Sequence, residues 1–392
     1  MGQSRIRTGI IGAGFVGRVH AEALRRVGAA DVVAVSDLNL NAARRVADAV
    51  GIDRATDDPR DILDDPSIAA VHICTPNALH YEQAAAALVA GKHVVCEKPL
   101  AISADQGAAL VSAAAARGLR NCTCHSLRCY PMVQQVRAMI ADGELGDVLI
   151  AQGTYSQDWL LYDTDWNWRI DSEDGGISRA IADIGSHWCD MLEHITGQHL
   201  TSLCADLATF HPIRQRPRRA VDTFAGKKAS GESSEAVQVK SEDYGGVLFR
   251  LGDRARGAMT VSQVSAGRKN QLRIEIYGTK ASAAWNGERP DELWIGRRDR
   301  GSEILLKDPS ALAPAAAAYA DLPGGHSEGY DDTFKQLFRR FYASILQPGL
   351  TIDYPQFADG HRQLMIRDAV LASHQDRRWV DCAVEAASAS FR

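Results

Sequence analysis

The first apolar run of the chain, Ile6 to Ile11, reads as a buried strand. It passes at once into Gly12-Ala13-Gly14-Phe15-Val16-Gly17, and from Phe15 to about Val27 the apolar positions recur with helical spacing. A second strand, Val32 to Val35, ends at Asp37. Residues 39–50 then form a helix with Leu40, Ala43, Val46, Ala47 and Val50 on one face. The alternation continues. A strand from Ala70 to Cys74 ends in Thr75-Pro76-Asn77, and an alanine-rich helix, 79–90, stops at Gly91. A strand from His93 to Cys96 ends in Glu97-Lys98-Pro99, a helix over 103–117 stops at Gly118, and a short strand runs from Asn121 to Cys124. Strands separated by helices predict a parallel sheet covered on both faces, which binds ligands at the carboxyl ends of its strands. Asp37, Thr75-Pro76-Asn77, Glu97-Lys98-Pro99 and His125 all fall at such ends and should line one crevice.

The pattern changes after about residue 130. A helix over 131–142 leads to Gly143 and Gly146. Alternating runs follow at 147–156, 199–210, 236–240, 246–251, 256–264, 271–277, 281–285 and 292–295, many bounded by Gly, Asp or Asn. They predict a largely antiparallel sheet with one strong helix, 185–196, laid on it. Residues 213–235 are polar and basic and read as a long loop between strands. Such a loop is either a solvated insertion or one that reaches a subunit interface or an anionic ligand. Residues 311–320 read as a connector, and helices are expected at about 328–346 and 356–375.

The glycine-rich turn carries the first chemistry. Gly12 allows a tight strand-to-helix turn, Gly14 lets a pyrophosphate approach the backbone, and Gly17 lets the helix pack close to the strand. The helix start at Phe15 and Val16 offers free N–H groups to phosphates. Asp37, twenty residues after Gly17, can accept hydrogen bonds from a ribose diol and would repel a 2′-phosphate, which favours NAD over NADP. Lys98 stands at a strand end before Pro99. The like charge of a nicotinamide beside it would favour its neutral form and let it accept a proton; from local sequence it could equally be a surface lysine. Asp183 and His187, four apart at a helix start, share a face, so the carboxylate can fix the imidazole tautomer; the plainer reading is a capping aspartate beside an unrelated histidine. Tyr155, Gln157, Asp158, Trp159, Trp168 and Arg169 form an aromatic-rich stretch suited to stacking on a sugar or nicotinamide face, or simply to core packing. His125 and Tyr130 lie just past a strand end, and His326 is expected to open a helix.

With 392 residues there is room for two or three domains. A net charge of −5 offers no field for nucleic acid or an anionic membrane, and no apolar run approaches the roughly 20 residues of a membrane span. The apolar start is a strand and turn rather than a signal-peptide core, so a cytoplasmic setting is expected. Cysteines 74, 96, 122, 124, 129, 189, 204 and 382 lack a pattern of paired zinc ligands and are expected to be reduced and structural. No metal is expected.

Taken in order, the Gly12/Gly14/Gly17 turn, Thr75-Pro76-Asn77 with His80, Glu97-Lys98-Pro99, Trp168-Arg169 and Asp183 with His187 make the chain resemble the glucose–fructose oxidoreductase / inositol dehydrogenase family. The resemblance covers nearly the whole length. It implies a Rossmann NAD-binding domain over 1–130 and a substrate-binding and oligomerisation domain over 131–325 with an open, mostly antiparallel sheet. The helices from about 326 to 392 should return to the first domain. It further implies that Lys98, Asp183 and His187 are the catalytic set, that Arg169 lies near the nicotinamide, and that the protein is a homodimer or homotetramer. Residues 153–159 (GTYSQDW) look most like members acting on pyranosides and anhydrosugars. Two departures bear on the substrate: Gly175-Gly176 lies further upstream of Asp183 than in many members, and the 213–235 loop is long. The leading expectation is an NAD-dependent dehydrogenase of a sugar, glycoside or cyclic polyol, with Lys98 or His187 taking the hydroxyl proton. The alternatives are a redox-neutral glycosidase that oxidises C3 transiently, with Tyr130 or Tyr155 as base, and an NAD-binding regulator without turnover.

Overall fold

The computed structural model describes residues 5–218 and 234–382. The chain divides into two compact units. One comprises the residues up to Cys129, Glu173–Gly176 and Gly329–Leu364; the other comprises Tyr130–Ser172, Ile177–Glu328 and the chain from Met365 on.

In chain order the first unit contributes β1 (Ile6–Ile11), α1 (Phe15–Val27), β2 (Ala30–Ser36), α2 (Leu40–Val50), β3 (Arg54–Thr56), α3 (Arg60–Leu63), β4 (Ala70–Ile73), α4 (Asn77–Val89), β5 (His93–Cys96), α5 (Ala104–Arg117) and β6 (Asn121–Thr123). The strands lie in the order β3-β2-β1-β4-β5-β6, all parallel. The chain winds outward from β1 in both directions, so a topological switch point opens at the carboxyl ends of β1 and β4. β4 is buried at every residue, His72 included, which is why it shows no alternation of apolar and polar positions. Ile11, Val71, Ile73, Val94 and Leu110 meet in the core of this unit. β3 is a three-residue edge strand with polar ends, so no apolar period marks it in the sequence.

The later elements are α6 (Pro131–Ala141), β7 (Val148–Ser156), α7 (Ser172–Gly175), α8 (Ser186–Thr196), β8 (Leu200–Ala208), β9 (Ile213–Pro217), β10 (Ser234–Gln238), β11 (Tyr244–Leu251), β12 (Ala255–Ser262), β13 (Gln271–Gly278), β14 (Ala281–Asn286), β15 (Glu292–Arg297), β16 (Glu303–Leu306), α9 (Pro314–Ala317), α10 (Tyr330–Leu346), α11 (Phe357–Asp376) and β17 (Val380–Asp381). Nine of these strands form one sheet in the order β16-β15-β14-β13-β7-β12-β11-β8-β17. Only the β12–β7 pairing is parallel. The expected open, mostly antiparallel sheet is therefore present. α8 is seated on it through Trp188, which is fully buried and donates its indole N–H to the Arg273 carbonyl at 3.0 Å. A β-carbon at Gly153 would stand 2.7 Å from that indole nitrogen, so glycine in β7 makes room for the tryptophan.

Three expectations are corrected. The stretch 213–235 is not loop throughout: its first residues form β9, which pairs antiparallel with β10 in a separate two-stranded sheet. Residues 219–233, the centre of that stretch, lie outside the described residues, as does the tail after Cys382. The strand expected at 236–240 is β10, shifted by two residues and absent from the large sheet. His326 does not open a helix; α10 begins at Tyr330, where the Asp332 carboxylate accepts the Gly329 N–H at 2.9 Å.

The second unit also buries an ionic cluster. Asp243 accepts from Arg179 and, at 2.7 Å, from Arg214, and all three side chains are fully enclosed. Burial would raise the Asp243 pKa, but the two guanidiniums outweigh it and hold the carboxylate below its usual range. Asp243→Asn would leave two guanidiniums without their counter-charge and should cost about 3–5 kcal/mol in denaturant unfolding. A depressed folded pKa stabilises above the unfolded value near ~3.9 and is lost as the pH falls below it. The variant should therefore show a flatter stability–pH curve in acid than the wild type. No helix among the described residues is long and apolar enough to cross a membrane.

Candidate active site

In the first unit the residues expected to hold a dinucleotide gather at the switch point. Gly12 has φ +102°, and a β-carbon there would stand 2.6 Å from the Cys74 carbonyl, so both its conformation and its space require glycine. A β-carbon at Gly17 would overlap the Gly12 carbonyl oxygen. Nothing lies within 4 Å of a β-carbon built on Gly14, so the backbone there faces open space. Gly14 is the N-cap of α1 and supplies no side-chain acceptor, which leaves the first-turn N–H groups of Val16 and Gly17 available to an anion. Phe15 is half exposed at the mouth of the turn. Asp37, just past β2, accepts from the Ala13 N–H at 2.8 Å and the Asn39 N–H at 2.9 Å. Each carboxylate oxygen keeps a further lone pair for a ribose hydroxyl. This cradle fits the two phosphates and one ribose of a dinucleotide.

The other strand ends complete this half. Thr75 donates its hydroxyl to Gln83 at 2.6 Å, and Asn77, next to Pro76, donates its amide to the Gly175 carbonyl at 3.1 Å. His80 sets Nδ1 2.8 Å from the Pro99 carbonyl and Nε2 2.8 Å from the Thr75 carbonyl, so it ties the end of β4 to the turn after Lys98. Glu97 is buried; one oxygen is 3.1 Å from His20 Nε2 and the other accepts the Lys98 N–H at 3.1 Å. Lys98 is half-buried and precedes a cis bond to Pro99. His20, Glu97 and Cys124 bring nitrogen, oxygen and sulfur donors within 4.8 Å of one another. Burial pushes the Cys124 thiol far up, so it holds its proton, and the histidine and carboxylate are hydrogen-bonded to each other. We read the group as a hydrogen-bonded cluster rather than a metal centre.

In the second unit Asp183 lies in a π-helical turn, Ile181–Gly185, that runs directly into α8, which carries His187. Such turns widen a helix and often mark functional positions. The Glu242 carboxylate holds the start of this turn by accepting from the Ser178 hydroxyl at 2.7 Å and from the N–H groups of Arg179 and Ile181 at 2.9 Å. The Asp183 carboxylate accepts from Gln263 at 2.9 Å and lies 3.4 Å from the Arg169 guanidinium. Gln263 is held in turn by Arg179 at 2.9 Å, so the buried ionic cluster reaches Asp183 through one amide. Arg169 stacks over Trp168, 4.3 Å from its ring centre. The Tyr155 ring lies 6.5 Å from the His187 ring, and its hydroxyl donates to Asn270 at 2.9 Å. Asn270 also accepts from Gln157 at 2.8 Å, and Gln157 accepts the Trp159 indole N–H at 2.7 Å. Tyr130 is buried, with its ring 5.1 Å from Trp285. His326 is exposed, and its carbonyl accepts from the buried Lys307 ammonium at 2.7 Å. Burial, with Asp183 and Tyr130 adding to it, pushes the Tyr155 pKa well up. Tyr155 therefore keeps its proton at neutral pH and does not suit the role of general base.

Gln263, Asn270 and Glu242 are missing from the sequence-based candidates. They follow or precede strands far along the chain, and no local motif signals that register will bring them beside Asp183 and Tyr155.

Two family models match the chain: "Oxidoreductase family, NAD-binding Rossmann fold" over residues 6–125, and "GFO/IDH/MocA C-terminal domain" over residues 133–284. Levoglucosan dehydrogenase of Pseudarthrobacter phenanthrenivorans is 30% identical over 96% of this chain and 98% of its own length. Among solved structures, levoglucosan dehydrogenase in complex with NADH and levoglucosan is similar with a TM-score of 0.85 at 30% identity, covering 97% of this chain and 100% of the other. An inositol dehydrogenase homologue complexed with NAD+ from Azotobacter vinelandii gives a TM-score of 0.83 at 26% identity, with 96% and 97% covered. Together with the glycine cradle and the two sheets, these matches show that the chain belongs to the GFO/IDH/MocA family and is an NAD-dependent oxidoreductase.

Proposed function

We propose that the protein is a dehydrogenase of a sugar, glycoside or cyclic polyol, with pyranosides and anhydrosugars as the preferred class. The observation that carries this reading is the row Trp159–Gln157–Asn270–Tyr155 leading to His187. Aromatic faces beside amide and phenol groups are what a ring with several hydroxyls needs: flat apolar walls and hydrogen-bonding groups of fixed direction. The relatives agree in class, since they include a levoglucosan dehydrogenase and a myo-inositol 2-dehydrogenase.

In this reading NAD, when bound, supplies the hydride acceptor. Lys98 takes the proton of the reacting hydroxyl. His187 holds the oxygen, and Asp183, itself fixed by Gln263 and Arg169, orients His187. Asp37 takes the adenosine ribose, and Arg169 lies beside the nicotinamide. The redox-neutral glycosidase loses its support at Tyr155, whose phenol is committed to Asn270 as a donor.

We also propose that the protein self-associates through the face of the large sheet opposite α8. Cross-strand register puts Leu248, Ala258, Gln152, Glu275, Ala284, Trp294 and Ile304 on that one face. Leu248, Trp294 and Ile304 on it are 55%, 39% and 60% exposed, as befits a face that a second copy covers.

Four outcomes are expected. Assayed over a panel of glycosides, anhydrosugars and inositols, the enzyme should form one NADH per sugar consumed; released aglycone without NADH would refute the dehydrogenase reading. Lys98→Ala should cut kcat by about 10²–10⁴-fold while NAD affinity by calorimetry stays nearly unchanged, and equal loss of both would remove Lys98 from the chemistry. Asp37→Ser should shift the NAD-to-NADP preference by about tenfold, the equivalent of one like-charge contact of ~1.4 kcal/mol. In light scattering, Leu248→Asp combined with Ile304→Asp should lower the molecular mass; an unchanged mass would place the interface on another surface.

A further inference from the structure

The loop after β7 carries Trp159 near its start and Trp168 and Arg169 near its end, and residues 157–167 form neither helix nor strand. Its backbone is nevertheless held. Arg214 on β9 is fully buried. Its Nη1 donates to the Tyr162 carbonyl at 2.8 Å and the Asp165 carbonyl at 3.3 Å. Its Nη2 donates to the Leu160 carbonyl at 3.0 Å and to the Asp243 carboxylate at 2.7 Å. Just before β9, His211 donates from Nε2 to the Leu161 carbonyl at 2.8 Å, and within β9 the Gln215 N–H donates to the Asp163 carbonyl at 2.9 Å. Five carbonyls between Leu160 and Asp165 thus accept from the short stretch 211–215. Each of these bonds has a fixed direction, because a carbonyl oxygen only accepts.

The apolar and aromatic contacts tie down the rest of the loop. Leu160 and Ile170, from its two ends, are buried together with Val239, which follows β10, and Trp159 and Trp166 pack against them. Arg216 pairs with Asp171, and its guanidinium lies 5.0 Å from the centre of the Trp166 ring. The small sheet of β9 and β10 therefore reaches the loop at its start, its middle and its end. Ordering an irregular segment costs backbone entropy at each residue, and a ligand that had to order it would lose that much affinity. Here the order is already present in the fold. A guanidinium suits the task, since its planar fork serves three carbonyls and a carboxylate at once, whereas an ammonium is a single point of charge.

We infer that Arg214 is a positioning residue for the substrate: it fixes the path of the loop beside Trp159, so that this ring and the amides behind it meet a sugar ring already in place. The inference rests on the reading proposed above, in which the row from Trp159 to Tyr155 faces the sugar.

The test has two arms. Arg214→Lys keeps a charge for Asp243 but cannot reach the carbonyls and the carboxylate together. With the best substrate of the panel it should raise the sugar KM by about tenfold, leave kcat within about twofold and leave the KM for NAD unchanged. A residue that only stabilised the fold would lower the amount of active enzyme, so the apparent kcat would fall at an unchanged sugar KM; that result would overturn the inference. In hydrogen–deuterium exchange without substrate, the amides of residues 158–171 should exchange about tenfold faster in the variant, with those of β1 and β4 unchanged. Equal exchange over 158–171 would also overturn it. If Arg214→Lys does not fold, Arg216→Ala decides. That side chain is 36% exposed and pairs with Asp171 rather than Asp243, so its loss should leave the buried cluster intact and raise the sugar KM by about threefold; an unchanged KM would overturn the inference. A wild type that turns over no sugar, beside a variant that still loosens 158–171, would refute the proposed function and leave the hold of Arg214 on the loop standing.

Discussion

A β-carbon at residue 17 would overlap the Gly12 carbonyl oxygen, so α1 can lie against β1 only where position 17 has no side chain. Much of the first unit depends on that close seat. It brings the uncapped first turn of α1 over the open backbone at Gly14 and sets Ala13 where its N–H reaches Asp37. One turn further along the same helix, it sinks His20 between β4 and the end of β5, within reach of His72 and Glu97. The phosphate cradle and the buried contacts of His20 therefore depend on one steric allowance.

The second unit meets a different constraint. Its candidate residue Asp183 lies in a π-turn, which no regular ladder holds in place, and buried charge does that work. Glu242 gathers the donors at the start of the turn, Asp243 binds two guanidiniums, and Gln263 carries this order to Asp183. A buried ion pair is an uncertain source of stability, because desolvation offsets much of the attraction. Here its clearer effect is geometric: each group has fixed partners, so the Asp183 carboxylate has little freedom to turn. Trp188 does the same for α8 by filling the gap above Gly153.

The candidate residues of the two units are held on opposite principles. The first unit uses backbone groups at strand ends, where glycine and a single aspartate suffice for a dinucleotide cradle. The second unit uses long polar side chains and rings, where each must be braced by another, as Tyr155 is by Asn270 and Asn270 by Gln157.

The sequence alone determined the parallel sheet, the glycine turn and Asp37, because these depend on local spacing: apolar runs of one strand length, glycines at fixed offsets, and an acidic residue at the end of β2. It also placed Lys98, Asp183 and His187 in motifs short enough to recognise. It did not reveal β3 or β9, whose polar, edge-exposed residues carry no apolar period, and it misplaced the helix start near His326, where Gly329 and Asp332 form the cap. Nor did it find Gln263, Asn270 or Glu242, or the loop carbonyls that Arg214 holds. Those residues meet across tens of positions or more, and only strand register and helix packing bring them within hydrogen-bond distance. Tertiary structure decided them because the length and direction of a hydrogen bond are set by the fold and not by the order of residues along the chain.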